Sequence, residues 1–234
     1  MAKEKTILFV MPRLPFPATS GRKTSLYHYC RILSEELGYR LVVAAFLEAG
    51  DDPSQKPAFI DRLVILPKES AKNSIILQKK PLQVELYWSK TAKEKVNQLM
   101  NEENPEIVIG DMIRSTEYIR DLKAYRIADL DDRISLRYQR QLDVDIKNVN
   151  PYGAFLNTMP AFVQKVLLAA PIKAFVLKTE VTLLKKYESD IGKSCDKTIF
   201  VAENEVEQFN RELGKEKAVA IPIGVDTQYF SYRE

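Results

Sequence analysis

The sequence predicts an α/β domain: a doubly wound, mostly parallel sheet with helices on both faces. Three observations carry this. Short apolar runs such as Ile7 to Val10 and Leu41 to Phe46 are continuous rather than alternating, as expected of parallel strands buried on both sides. Helical periodicities separate most of these runs. The first run is followed by a loop and a helix start, the order in which such domains build a ligand crevice at the carboxyl ends of their strands.

That first unit, Ile7 to Arg31, organises the chain. A proline-studded loop, Met11 to Thr19, follows the strand, and Ser20-Gly21-Arg22-Lys23-Thr24 opens a helix running to about Leu37. A helix start offers free N–H groups and the positive end of a dipole. Gly21 lets a ligand approach the backbone, and Arg22 and Lys23 add charge, so the expected guest is an anion, most simply a phosphate. No G-x-G-x-x-G or Walker sequence is present. On chemistry alone Gly21 is either a turn residue or a phosphate-facing one.

The helix from Thr24 sets Leu26, Tyr29, Cys30, Leu33 and Leu37 at helical spacing and stops at Gly38. Glu48 to Lys56 is a polar loop, and Leu63 to Leu66 a short third strand. Lys68 to Lys80 is basic and polar, with Ile75, Ile76 and Leu77 as an anchor. Thr91 to Glu103 is helical. Ile107 to Ile109 is a fourth strand ending at Gly110-Asp111. Ser115 to Leu122 is a short helix, and Tyr125 to Leu130 a fifth strand ending in Asp131-Asp132. Ile134 to Leu142 is helical and Asn148 to Gly153 is a break. Met159 to Ile191 is a long helical region that Pro171 kinks or divides. Lys197 to Ala202 is a sixth strand, Glu203 to Leu213 a helix and Ala218 to Ile221 a last short strand.

The totals exclude several function classes. The 234 residues suit one large domain or one and a half small ones, and 45% hydrophobic content permits a substantial core. With 35 basic and 32 acidic side chains the net charge is +3, too balanced for a general nucleic-acid binder. Cys30 and Cys195 form no metal or redox spacing and point to a reducing, cytoplasmic compartment. A single histidine, His28, rules out a histidine metal cluster and reads as a packed residue between Tyr27 and Tyr29. No bound metal is expected. No signal peptide or transmembrane run is apparent. Pro151 to Lys186 interleaves Phe155, Phe162, Val166, Leu167, Leu168, Phe175, Val176 and Leu177 with Lys165, Lys173 and Lys178. This suits either core packing, the preferred reading, or an anionic membrane surface.

Three motifs, in order along nearly the whole chain, resemble the glycosyltransferase family 4 enzymes, in the N-terminal half of their GT-B fold. They are P-F-P-A-T-S-G-R-K-T (Pro15 to Thr24), Tyr187-Glu188 through D-K-T-I-F-V-A-E-N-E (Asp196 to Glu205), and I-P-I-G-V-D-T-Q-Y-F (Ile221 to Phe230), the last similar to the family's interdomain link I-P-N-G-V-D-x-x-x-F. The resemblance implies a Rossmann-like acceptor-binding domain over residues 1–222 and the start of a linker over 223–234, the nucleotide-sugar domain lying outside this sequence. It implies sugar transfer, with retention, from a nucleotide diphosphate sugar to a saccharide or lipid-linked acceptor, as in bacterial polysaccharide or glycoconjugate synthesis. The nucleotide sugar is a co-substrate, no cofactor or metal is required, and the setting is cytoplasmic or peripheral on the inner face of a membrane. By itself this chain is expected to be inactive.

The resemblance places Gly21 against the donor phosphates, with Ser20 and Arg22 beside it. Asp131 takes the place where many relatives have a histidine near the reacting sugar, and is the candidate catalytic group. Lys23, Asp111, Asp132 and Arg133 are the candidate acceptor-binding residues. Asp131 and Asp132 have an alternative role as caps of the following helix. The alternative to an enzyme is a stand-alone, non-catalytic Rossmann-like module that binds a saccharide or a protein partner.

Overall fold

The computed structural model describes residues 5–69, 80–144, 152, 156 and 160–224. The expected anchor at Ile75 to Leu77, most of the break at 148–153 and most of the final motif lie outside them. Seven strands form one sheet: β1 (Thr6–Met11), β2 (Arg40–Ala45), β3 (Arg62–Ile65), β4 (Ile107–Asp111), β5 (Tyr125–Asp131), β6 (Lys197–Phe200) and β7 (Ala218–Ala220). Their order is β3-β2-β1-β4-β5-β6-β7 and every pairing is parallel. The chain therefore winds outward from β1 in one direction and returns from β4 in the other. The switch point lies between β1 and β4, where doubly wound sheets open a crevice.

Both faces of the sheet are covered. Along β1, Ile7, Phe9 and Met11 join one apolar cluster while Leu8 and Val10 join the other. That alternation is the geometry of a strand with two buried faces. Helix α1 (Gly21–Arg31) packs Leu26 and Cys30 on the first face. The opposite face takes α3 (Lys90–Glu103), α4 (Met112–Ile119), α5 (Ile134–Val144), α7 (Ala170–Ser194) and α8 (Glu203–Leu213) through side chains such as Val96, Tyr118, Leu184 and Phe209. Two further short helices are α2 (Leu82–Glu85) and α6 (Ala161–Leu167).

Most predicted elements are present, with local differences that have physical causes. The first helix does not run regularly to Leu37. After Arg31 it widens into a π-type turn, Ile32–Glu36, with Leu37 N–H donating to the Ile32 carbonyl at 2.9 Å. Gly38, at φ +73°, ends it. Pro171 divides the long helical region in two rather than kinking it, because it sits in the first turn of α7, where its missing N–H is harmless. Helix α2 has no sequence signature: the first N–H of this single turn, on Leu82, is held by both carboxylate oxygens of Glu180 at 3.0 Å.

Helix α5 leaves the carboxyl end of β5 and runs antiparallel to α7. Ser135, at the start of α5, bonds Glu188, whereas Asp143, near its end, lines a groove with Ala174. The pair projects beyond the sheet on the crevice side.

Candidate functional site

The carboxyl ends of β4 and β5 bring together a cluster that the order of the chain conceals. Asp111 and Asp129 are partners in the β4–β5 register, and Asp131 lies two residues beyond Asp129. Arg22 reaches all three from the first turn of α1. Its Nε donates to Asp111 at 3.0 Å and its Nη2 also contacts that carboxylate. Nη2 lies 2.8 Å from Asp129 Oδ2, and Nη1 donates to Asp131 Oδ1 at 3.0 Å. The planar, always charged guanidinium fork is suited to this; a lysine would meet one carboxylate at a time.

The backbone at both strand ends is unusual. Met112, which follows Asp111, has φ +55°, and Asp131 has φ +67°. Left-handed backbone in non-glycine residues is strained and concentrates at sites that need a fixed geometry. At Asp131 the β5–β6 register also slips, so that Asp129 and Asp131 face the consecutive residues Ile199 and Phe200. The bulge re-aims the Asp131 side chain. Gly110 permits the tight β4–α4 connection: a Cβ there would lie 3.3 Å from the Thr116 Cα.

Burial sets the electrostatics. It pushes the Asp111 carboxyl upward against the pull of Arg22, and the Asp111 Oδ2 has no partner among the described residues. Burial also raises Asp129, with Asp111 and Asp131 adding to it and Arg22 opposing, up to about 7. Burial works against the Arg22 charge, but the three carboxylates outweigh it and raise that group further. Near neutrality the cluster therefore combines a permanent cation with carboxyl groups that hold a proton unusually well. Tyr29, seven residues along α1 from Arg22 and so on its face, senses the cluster too: burial and then Asp129 raise its phenol.

The start of α1 is open. Ser20 is extended at φ −142° and its side chain makes no cap to the helix. Among the described residues none accepts from the N–H groups of Gly21, Arg22 or Lys23. A Cβ built on Gly21 would meet nothing within 4 Å. The fold does not require glycine here, and the space before these three donors is free for an anion.

Other candidates are placed differently from expectation. Arg22 was expected to hold phosphate, but its guanidinium turns to the strand ends and is spent on three aspartates. Lys23 was expected at the acceptor, but it is 8% exposed and pairs with Asp51 at 2.6 Å, pinning the loop after β2 to α1. Asp132 pairs with Arg137 at 2.9 Å and does not cap α5. Glu205 and Glu188 cap it instead, accepting from the N–H groups of Arg133 and Ser135 at 3.0 and 2.9 Å. Arg133 is buried behind them, bound by Glu212 at 2.7 Å and Glu188 at 3.4 Å, with its guanidinium over the Phe209 ring. Burial opposes its charge, but Glu212 and Glu188 raise it. This arrangement ties α5, α7 and α8 together and leaves Arg133 no free donor face for a ligand.

Asp129 belongs to none of the motifs in the sequence, but it carries a signal: a carboxylate inside an apolar run assigned to a buried strand needs a partner or a proton. Among the described residues no group of three or more His, Cys, Asp and Glu is arranged to hold a metal ion; at the aspartates, the Arg22 guanidinium occupies the place of a cation. A groove of about 530 Å³ between α5 and α7, lined by Gln139, Leu142, Lys178 and Val181 among others, lies on the projecting helices, away from the strand ends.

The sequence matches no family model and no curated protein. Among solved structures it is similar to a sucrose-phosphate synthase from Thermosynechococcus elongatus, with a TM-score of 0.60 and 11% identity over 96% of this chain and 49% of that one. It also matches a protein described as a UDP-N-acetylglucosamine 2-epimerase from Listeria monocytogenes, with a TM-score of 0.46 and 10% identity over 92% and 44% of the two chains. The first match shows the fold, a Rossmann-like layer equivalent to half of a GT-B protein. The chain spans about half the length of the solved structures it matches.

Proposed function

We propose that this chain is the acceptor-side domain of a retaining glycosyltransferase, moving a sugar from a nucleotide diphosphate sugar to a saccharide or lipid-linked acceptor. One observation carries the reading: the open N–H groups of Gly21 to Lys23 stand at the switch point, on the same turn as the arginine that organises Asp111, Asp129 and Asp131. A site for an anionic leaving group thus adjoins a site for sugar hydroxyls. The N–H groups at Gly21, with the Ser20 hydroxyl, face the donor diphosphate and stabilise charge as the glycosidic bond breaks. Asp131 is 25% exposed, the most accessible of the three carboxylates. It orients an acceptor hydroxyl and takes up its proton, while Arg22 holds it in position. Asp111 and Asp129 are positioning residues behind it.

In this reading residues 1–222 form the domain, 223–234 begin a linker, and a nucleotide-binding half follows it in the native protein. A cytoplasmic setting fits Cys30 and Cys195, both buried and unpaired. The test is turnover of nucleotide sugars by the native protein from its source cells, compared with Gly21→Val, which puts a branched side chain before the N–H groups. Loss of turnover with the fold intact supports the reading; undiminished turnover overturns the phosphate role of the loop. An intact native mass near 26.8 kDa would overturn the two-half arrangement and favour a stand-alone saccharide- or partner-binding module.

A further inference from the structure

We propose that the projecting end of the α5–α7 pair, together with α6, is a docking surface for an anionic lipid membrane. The proposal stands on this surface alone, without the glycosyl-transfer reading. The sequence pattern of this segment favours core packing, and the structure assigns that role to only part of it. Leu177, Val181 and Leu184 of α7 are buried, but Phe175 is 71% exposed, and α6 has no buried residue, with Phe162 73% exposed and Val166 also exposed. Val144, at the end of α5, is 86% exposed. The antiparallel register set by Ser135 on Glu188 and by Asp143 beside Ala174 puts Val144 and Phe175 at the same end of the pair. Glu188 marks the carboxyl edge of the sheet, and Phe175 lies thirteen residues before it in α7, roughly 20 Å further out at 1.5 Å per residue.

Charge decides the occupant. From Pro160 to Thr179 there is no acidic residue, in a chain with 32 of them among 234. Lys165 and Lys178 are exposed beside the apolar side chains, and Asp143 borders the end of the pair. Large apolar groups interleaved with lysines and almost free of carboxylates match the headgroup boundary of an anionic bilayer: aromatic groups enter the acyl region and lysines stay at the phosphates. Among the described residues no helix is long and apolar enough to cross a membrane, so the mode is surface attachment. The surface stands at the end of the molecule that carries the crevice, so an attached chain would present its strand ends toward the lipid.

The test is co-sedimentation of the whole chain with phosphatidylglycerol vesicles and with phosphatidylcholine vesicles at low and high salt. Binding to the anionic vesicles only, weakened by salt, is expected. The double variant Phe162→Asp/Phe175→Asp should bind at least about tenfold more weakly, because each ring loses its apolar transfer energy. Phe162→Ser/Phe175→Ser repeats the test without adding charge, and circular dichroism checks both folds. Lys165→Glu/Lys178→Glu should weaken binding and flatten its salt dependence, while Lys90→Glu, on the exposed face of α3, should change neither. No sedimentation at low salt, equal binding to both lipids, or unchanged binding by the folded serine variant would each overturn the proposal. A concentration-dependent dimer abolished by Phe162→Asp, with no vesicle binding, would assign the surface to a second copy of the chain instead.

Discussion

The guanidinium of Arg22 donates to the carboxylate of Asp131 across 3.0 Å, although 109 positions separate them in the chain. The contact joins the first turn of α1 to the left-handed end of β5. Asp111 and Asp129 share the same guanidinium, so one side chain fixes three carboxylates from two strands. Replacing it with a neutral chain that keeps only its apolar stem removes the one side-chain partner that each of these carboxyls has among the described residues. Arg22→Met is expected to destabilise the fold by about 3–5 kcal/mol, the usual result of leaving buried charges uncompensated. The loss should be larger at pH 8 than at pH 5, because burial holds the Asp111 and Asp129 carboxyls toward their protonated forms. Urea unfolding at the two pH values checks this, and equal losses would show that burial does not shift the protonation of these carboxyls between the two pH values.

Asp129 has its own pH signature. In the folded chain its carboxyl keeps a proton up to about pH 7, whereas in the unfolded chain it titrates at about 3.9. Between these values the folded state binds more protons, so its contribution to stability declines as pH rises from about 4 to about 7. Asp129→Asn mimics the protonated form. It should match the wild type at pH 4, unfold at higher temperature at pH 8, and remove that decline. A persistent slope in calorimetric melts would assign the titration to another group.

Gly21 separates folding from use. Because an added Cβ meets nothing within 4 Å and φ is not positive, Gly21→Ala should leave the melting temperature unchanged or slightly raised. The same substitution should weaken binding of inorganic pyrophosphate to the chain, read by titration calorimetry, and Gly21→Val should weaken it further. A clear fall in melting temperature for Gly21→Ala would mean that the glycine serves the turn.

Gly192 presents the opposite case. A Cβ on it would lie 2.6 Å from the Phe209 Cζ and 2.8 Å from the Leu213 Cδ1, where α7 meets α8. Helix propensity favours alanine by about 1 kcal/mol. Overpacking opposes it by about 1–3 kcal/mol, so Gly192→Ala should be net neutral to destabilising. Gly192→Ala combined with Phe209→Leu should recover much of any loss, and denaturant midpoints measure both.

Glu188 holds α5 to α7. Glu188→Ala leaves the Ser135 N–H and hydroxyl unpartnered and takes one of two carboxylates from buried Arg133. A loss of about 3 kcal/mol is expected in equilibrium unfolding, with Glu188→Gln losing less because it keeps one acceptor.

Much of the fold was legible because its signals are local. Apolar runs such as Leu41 to Phe46 need only their own composition to announce a buried strand, and Glu203 to Leu213 shows its helix through periodicity and a following glycine. What was not legible depends on residues far apart. The turn at Leu82 is held by Glu180, and the start of α5 by Glu188 and Glu205, so neither segment carries its own cap. The same holds at the crevice. A strand, a loop and an open helix start could be read from Ile7 to Arg31, but Arg22 looked like a free cation because its partners come 89 to 109 residues later. Arg133 and Lys23 looked available for the same reason. Charge in a sequence shows what a residue carries, and only the fold shows what it has already been given to.

The left-handed residues Met112 and Asp131 also have a bearing on how this protein would respond to selection. Each holds a backbone conformation that costs a side-chain-bearing residue about 1–3 kcal/mol. A library screened only for heat resistance should recover glycine or asparagine at Asp131, where either relaxes the backbone, and should keep methionine at Met112, whose side chain is buried and whose loss would cost about 2–5 kcal/mol. A library screened for use of the crevice should refuse glycine and asparagine at Asp131, where the relaxed residue loses the carboxylate that Arg22 holds. The difference between the two libraries at Asp131 would separate strain the protein merely tolerates from strain it needs.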